Sequence, residues 1–440
     1  MVAISQTRRA NQLALVLALL AATGMAYYYV AILLPATRAT PAHPTIGRYS
    51  FGNDFYPIWL TSRKCLLHRC NPYTVEVTRE IQAGIFGRAL SPDNQYDPPP
   101  AYRTFSYPAF TDFFGGLVAW LSFRTARIVL VVLLPCLTGL SMFLWSRGIG
   151  WRVAPSVLPI FTVLTLSSYS GLEALHALQP GLAVGFLISA AVAMLVQNKP
   201  RGAGCLLACA TIKPQVCLLL IFYLGVWALA DWRERGKFAV SFAGTLAALI
   251  VSAMLVWPNW IVLWLQVLFK YPSYSRPPLL PDLFGPYLGG ILLVLALAWL
   301  GKFAWDSRLA PSTSSRFSMT VCLLLAVTTV TLLPEHALYD HIVLLPGIML
   351  VARSWKVIWS RSVVSKVILG LGAGTIFWPW IVAPAVAVIH VAAPGLTSTI
   401  LLLPLRTATV IPFVVLGMLL LVFRGSERAS GAVISEVSGA

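Results

Sequence analysis

An all-α polytopic membrane protein is written into three properties of this chain. Of its 440 residues, 58% are hydrophobic and 11% charged, whereas soluble domains carry about 25% charge. The mean hydropathy is +0.79. The apolar residues fall in runs of about twenty, enough to cross a ~30 Å hydrocarbon core as a helix. Backbone polar groups in a bilayer must bond within their own segment, so the spans are helices. The length has room for about 11–13 of them. Residues 1–424 read as one transmembrane domain and 425–440 as a polar, disordered cytoplasmic tail.

Basic loops set the orientation. The formal charge is +17, from 32 Lys and Arg against 15 Asp and Glu. No basic face alternates with stacking aromatics, so the excess does not indicate nucleic acid; it marks cytoplasmic loops. These are Arg8-Arg9, 146–152, 197–202, 231–237, 306–316, 353–362 and 423–428. The first run continues to Pro35, beyond a signal-peptide core, and reads as an uncleaved helix over about 12–34. Both termini are then cytoplasmic and 35–124 forms a long extracytoplasmic loop. Spans follow at about 125–145, 153–170 and 182–197. The run 202–230 lies between basic loops and must go out and return, with a recessed turn at Lys213-Pro214. Further spans fall at about 238–257, 287–304, 317–333, 341–352, 366–392 and 399–422. The apolar segment 107–123 would invert every later loop if it crossed, so it is expected to lie in the outer interface.

Polar chemistry collects on the outer loops. Asp54 stands among aromatics in "YSFGNDFYPIWL". His176 and Gln179, Lys213 and Gln215, Lys270 and Arg276, and Glu335, His336, Asp340 and His341 occupy the later outer loops, with Arg406 in or near a span. Ionisable groups at membrane depth are functional candidates. Each has a plainer reading. Asp54 or Asn53 suits a helix N-cap, Lys213 and Arg406 can snorkel to headgroups, and the aromatics can form an interfacial belt. His336, Asp340 and His341 have spacing that a metal could use, or Asp340 could make a structural hydrogen bond. Cys65 and Cys70 lie in the extracytoplasmic segment, where a disulfide would persist.

The motif order resembles glycosyltransferase family 87, polyprenol-phosphate-sugar-dependent membrane transferases of the GT-C class. The resemblance is carried by "NDFYPIW", "NPY" (71–73), "FSYPAF" (105–110), "IKPQ" (212–215) and "LYDH" (338–341), over about residues 12 to 350. Ala109 stands where the family has a second Pro, and "HALQPG" (176–181) departs from an expected Gly-Gln, which leaves Gln179 without an assigned role.

The resemblance implies a GT-C-like helix bundle and a hexosyltransferase, with mannose as the default sugar. It implies a polyprenyl-phosphate sugar donor, a glycolipid or glycan acceptor and inversion at the anomeric carbon, without a metal or other cofactor. Asp54 is the expected catalytic base. Lys213, Arg406, His336, Gln215 and Lys270 are the expected donor-phosphate contacts. Tyr56, Trp59, Tyr107, Asp340 and His341, together with Tyr102, are the expected sugar or acceptor contacts. A plasma-membrane location with an extracytoplasmic site follows. A secondary transporter, an arabinosyl or other lipid-linked transferase, and a ligase remain the alternatives.

Overall fold

The computed structural model describes residues 2–36, 51–68, 70–94, 97, 99, 102–273, 275–334, 337–393 and 398–423. Among them there is no strand; one isolated bridge pairs Pro278 with Pro334. Seven helices are long and apolar enough to cross a membrane. They include α1 (Val2–Tyr27, continuing as a π-helix over Tyr28–Leu33) and, after α2 (Tyr56–His68), α3 (Val75–Phe86) and α4 (Thr111–Ala119), α5 (Phe123–Gly148). A pair, α6 (Val157–Ser167) and α7 (Tyr169–Ala177), bends by 67°, near the end of the span expected over 153–170, and α7 runs into the stretch 171–181 expected as an outer loop. Ser168 makes the break: its extended backbone ends α6 and its hydroxyl accepts from Gly171 N to start α7.

Next come α8 (Gly181–Val196), α9 (Pro200–Ala210), α10 (Pro214–Leu229), α11 (Trp232–Val256) and α12 (Trp260–Lys270). The chain closes with α13 (Pro286–Asp306), α14 (Ser315–Thr331), α15 (Leu345–Trp359, entered through a 3-10 turn over Leu338–Leu344), α16 (Val363–Ala392) and α17 (Leu403–Phe423).

Helix length tracks position. In α14 every residue from Phe317 to Thr331 is buried. Its threonines are satisfied inside the helix, as Thr320, Thr328 and Thr331 donate to carbonyls four residues back. The peripheral α11 has only 6% of its apolar window buried and faces lipid. The helices α8 and α10 have 16 residues each and α9 has 11, so they rise about 24 Å and 16 Å, short of a ~30 Å core. Each has one end near Gln179 or Lys213, which bond each other.

Loop contacts among the described residues gather in two places. At one end Arg353 donates to Ile149 O, Arg235 to Arg308 O and Leu309 O, Ser312 to Leu195 O, and Arg361 to Leu421 O. These contacts gather the basic loops. At the other end the segment 51–110 packs over the bundle. Trp257 Nε1 donates to Cys70 O at 2.6 Å and Trp264 Nε1 to Ser106 O at 2.9 Å, fastening it to α11 and α12.

The segment 107–123 holds only the nine-residue α4, about 13 Å of helix and no span. It packs on α2, where buried Asp112 accepts from Thr61 Oγ1 at 2.7 Å and Ser62 Oγ at 3.2 Å. Leu117 and Trp120 are exposed, an apolar face suited to the interface. Past the end of α2, Cys70 forms a disulfide with Cys65, with a Cα–Cα separation of 4.3 Å. The tail 425–440 lies outside the described residues.

Candidate active site

Asp54 reaches its position through the turn before α2. Gly52, at φ +80°, donates to His176 O at 2.7 Å, and Asp54 N bonds Ala177 O at 3.3 Å. The turn is thereby pinned to the end of α7. A Cβ on Gly52 would stand 3.1 Å from both Arg127 and Leu178. Neither Asp54 nor Asn53 caps α2. The Asp54 carboxylate accepts from Arg103 Nη1 on one oxygen and from Gln179 Nε2 on the other, and Asn53 Oδ1 is buried with no partner among the described residues.

Gln179 is delivered by Leu178, which ends α7 in the left-handed region at φ +51°. Lys213 is delivered by the turn between α9 and α10, where Pro214 keeps it out of helical backbone. Its Nζ donates to Gln179 Oε1 at 3.0 Å and to Asp340 Oδ1 at 2.6 Å, and lies 4.8 Å from the Tyr339 ring centre. A continuous polar chain therefore runs Arg103–Asp54–Gln179–Lys213–Asp340. Gly181 opens α8 against it, since a Cβ there would fall 2.6 Å from Asp340 Oδ1. The N-termini of α8 and α10 both face this chain and favour negative charge there.

The chain borders a cavity of about 800 Å³, within the range of ligand sites. Asp54, Arg103, Glu173, Gln179, Lys213, Gln215 and Arg276 give it a polar side, and Tyr102, Tyr107, Trp264, Tyr271 and Tyr339 an aromatic one. Leu218, Leu268, Pro272, Pro277 and Leu332 complete an apolar wall. Leu218 and Leu268 are each 37% exposed, so this wall presents accessible apolar surface. Burial, reinforced by the Asp54 carboxylate, raises the Tyr107 phenol well above its ordinary value and keeps it a neutral donor. Burial works against the Arg103 charge, but Asp54 outweighs it and the guanidinium is held protonated.

The structure brings Asp54, Lys213, Gln215 and Tyr107 to the cavity, with Asp340 one bond behind. Other expected contacts are elsewhere. Tyr56 packs edge-on and Trp59 tilted against Phe123, and neither lines the cavity; Trp59 Nε1 donates to Leu121 O, so the two rings join α2 to the start of α5. Lys270 and Arg406 are exposed and outside the lining, as their helix faces turn them away. His341 is buried away from the cavity. His176 packs between the Tyr29 and Phe51 rings. Glu335 and His336 lie outside the described residues. Among the described residues no group of three or more His, Cys, Asp or Glu is placed to hold a metal ion.

Arg103, Glu173, Tyr271 and Tyr339 were not singled out in the sequence as site residues. Glu173 accepts from Tyr29 OH at 2.5 Å and belongs to the polar side. The one available signal was an acid within an outer loop, in "GLEALHALQPG".

Compared with known families, residues 105–334 match the model of glycosyltransferase family 87. No match to the chain was found among curated proteins.

Proposed function

Because this chain belongs to glycosyltransferase family 87, we propose that it moves a sugar from a polyprenyl-phosphate donor to a hydroxyl of a glycolipid or glycan. The sugar is a hexose, with mannose first, and the site faces the extracytoplasmic side of the plasma membrane. The acceptor oxygen attacks the anomeric carbon opposite the phosphate. The C–O bond to the phosphate breaks, its electron pair leaves on the phosphate, and the hydroxyl proton passes to Asp54. The anomeric configuration inverts.

The observation that carries this reading is the Asp54 carboxylate on the wall of the cavity, aimed by a hydrogen bond to each oxygen. A general base must be held within reach of the proton it takes. The mixed walls also suit an amphiphilic donor. A sugar stacks on Tyr102 or Tyr107, a phosphate meets Gln215 and Arg276, and a polyprenyl chain leaves past Leu218 and Leu268. Lys213 already matches its charge with Asp340 and acts by orienting Gln179.

The test is Asp54→Asn. Asparagine keeps the shape and removes the proton acceptor, so turnover should fall by about 10²–10⁴-fold with donor binding retained. Near-normal turnover would refute the base assignment. Running wild-type protein with mannosyl-phosphate, arabinosyl-phosphate and nucleotide-sugar donors settles the donor; activity with the nucleotide sugar alone would overturn the polyprenyl reading.

A further inference from the structure

Arg103 sits in the left-handed region at φ +64°, unusual for a residue with a β-carbon. Such a conformation persists only when its surroundings enforce it. Here α3 does so from both sides. Gln82 Nε2 donates to Tyr102 O at 2.9 Å, and the Thr78 and Thr104 hydroxyls bond at 2.8 Å. The Arg103 backbone is therefore clamped and its side chain is sent into the cavity, with its guanidinium 5.2 Å from the Tyr102 ring centre.

The guanidinium is only partly used. One nitrogen, Nη1, bonds Asp54. Nε is buried and has no partner among the described residues. A buried donor left unmade carries a desolvation cost, and the Nε–Nη2 edge is the edge of an arginine that fits a phosphate bidentately. Nε itself is buried, while the side chain as a whole is 25% exposed, so a ligand in the cavity meets the guanidinium first through its accessible part. Asp54 and the cavity thus share one cation.

We infer that Arg103 is a donor-phosphate contact and that it couples donor arrival to release of Asp54. The inference rests on the reading that the cavity takes a polyprenyl-phosphate sugar, and it adds the residue that ties the two halves of the reaction together. Before donor binds, Asp54 is occupied by the guanidinium. When a phosphate ester meets the guanidinium from the cavity, its charge draws the guanidinium off the carboxylate and turns Nε toward the phosphate. Asp54 then faces an acceptor hydroxyl without a cation competing for its lone pairs. The base is available only when the leaving group is in place, which disfavours reaction at an empty donor site.

Binding of farnesyl phosphate and of farnesol to purified full-length protein in detergent provides the test, because the two differ by the phosphate alone. Wild type should prefer the phosphate. Arg103→Gln should weaken farnesyl phosphate by about 10- to 100-fold and leave farnesol unchanged, the loss expected for a charge-assisted fork. Arg103→Lys keeps the charge without the fork and should recover part of the affinity, which also guards against a folding defect in the Gln variant. Asp54→Asn should tighten farnesyl phosphate several-fold in the wild-type background and not in Arg103→Gln. Equal phosphate affinity in Arg103→Gln and wild type would overturn the contact while leaving the donor class intact. Equal tightening by Asp54→Asn in both backgrounds would overturn the coupling. A wild-type protein with no preference for the phosphate would bring down the donor class and this inference together.

Discussion

Lys213 and Asp340 form an ion pair whose side chains are 4% and 2% exposed. Both were legible as candidates because ionisable residues are rare in such a chain, but their partnership was not, since 127 residues separate them. Removing one partner of a buried pair strands a charge and costs about 3–5 kcal/mol, whereas replacing both can be nearly neutral. Lys213→Met should therefore lower the thermal midpoint of detergent-solubilised protein sharply, and adding Asp340→Asn should restore much of it. A Lys213→Met protein as stable as wild type would show that the pair does not anchor the site. The donor role first expected of Lys213 predicts lost donor binding with stability kept, so the same variants separate the two. Asp54 was legible for a different reason: a carboxylate among aromatics at an outer loop has few cheap explanations. Arg103 was not, because its importance lies in a left-handed backbone and a clamp from α3, neither of which leaves a mark in "YRTFSYP".

Element ends, more than element interiors, make the site. The short run 202–230 foretold a recessed turn, and α9 and α10 meet at one. The span expected to end near residue 170 breaks at Ser168, and the expected outer loop 171–181 carries the end of α7, a helix too short for its pattern to stand out in "YSGLEALHA". Gly181, the first residue of α8, supplies a specific check. Its Cβ would lie 2.6 Å from Asp340 Oδ1, a carboxylate that Lys213 prevents from yielding freely. Gly181→Ala should push Asp340 off Lys213, costing about 1–3 kcal/mol as overpacking does and lowering turnover; unchanged stability and turnover would mean the pair can shift. The α2–α4 joint gives a pH signature. Burial raises the Asp112 carboxyl from 3.8 to about 8, with Thr61 and Ser62 opposing only in part. The folded state thus holds a proton that the unfolded chain releases near 3.8, so this contribution is complete below that pH and is lost as pH rises through about 8. Thermal midpoints should fall from pH 6 to pH 9 in wild type and fall less in Asp112→Asn. An equal fall in both would exclude Asp112 as the cause.

Across the described residues, the loops fall into two sets, one acid-bearing and one mostly basic. The segment 51–110 carries several basic residues, but Lys64 pairs with Glu80, Arg88 with Asp97 and Arg103 with Asp54. At the opposite end Arg353, Arg235 and Arg361 spend hydrogen bonds on backbone carbonyls of neighbouring loops. Short loops rich in Lys and Arg stay on the cytoplasmic side, and on that ground we propose that the bundle sits with its cavity outward. Among the described residues seven helices are long and apolar enough to cross, and the 16-residue helices α8 and α10 are apolar but shorter, where the sequence led to an expectation of about 11–13 spans. Hydropathy records that a segment is apolar, not that it stops at a cavity partway through the bilayer. Orientation is decided by single cysteines introduced at Ala154 and Gln197 in the basic end and at Ser275 beside the cavity, in a background without the native thiols at Cys136, Cys205 and Cys209. A membrane-impermeant maleimide added to intact cells should label Ser275→Cys and should reach Ala154→Cys and Gln197→Cys only after the cells are opened. Labelling of Ala154→Cys or Gln197→Cys from outside would invert the bundle. It would put the cavity in the cytoplasm, where nucleotide sugars rather than lipid-phosphate sugars would be the donors to test first.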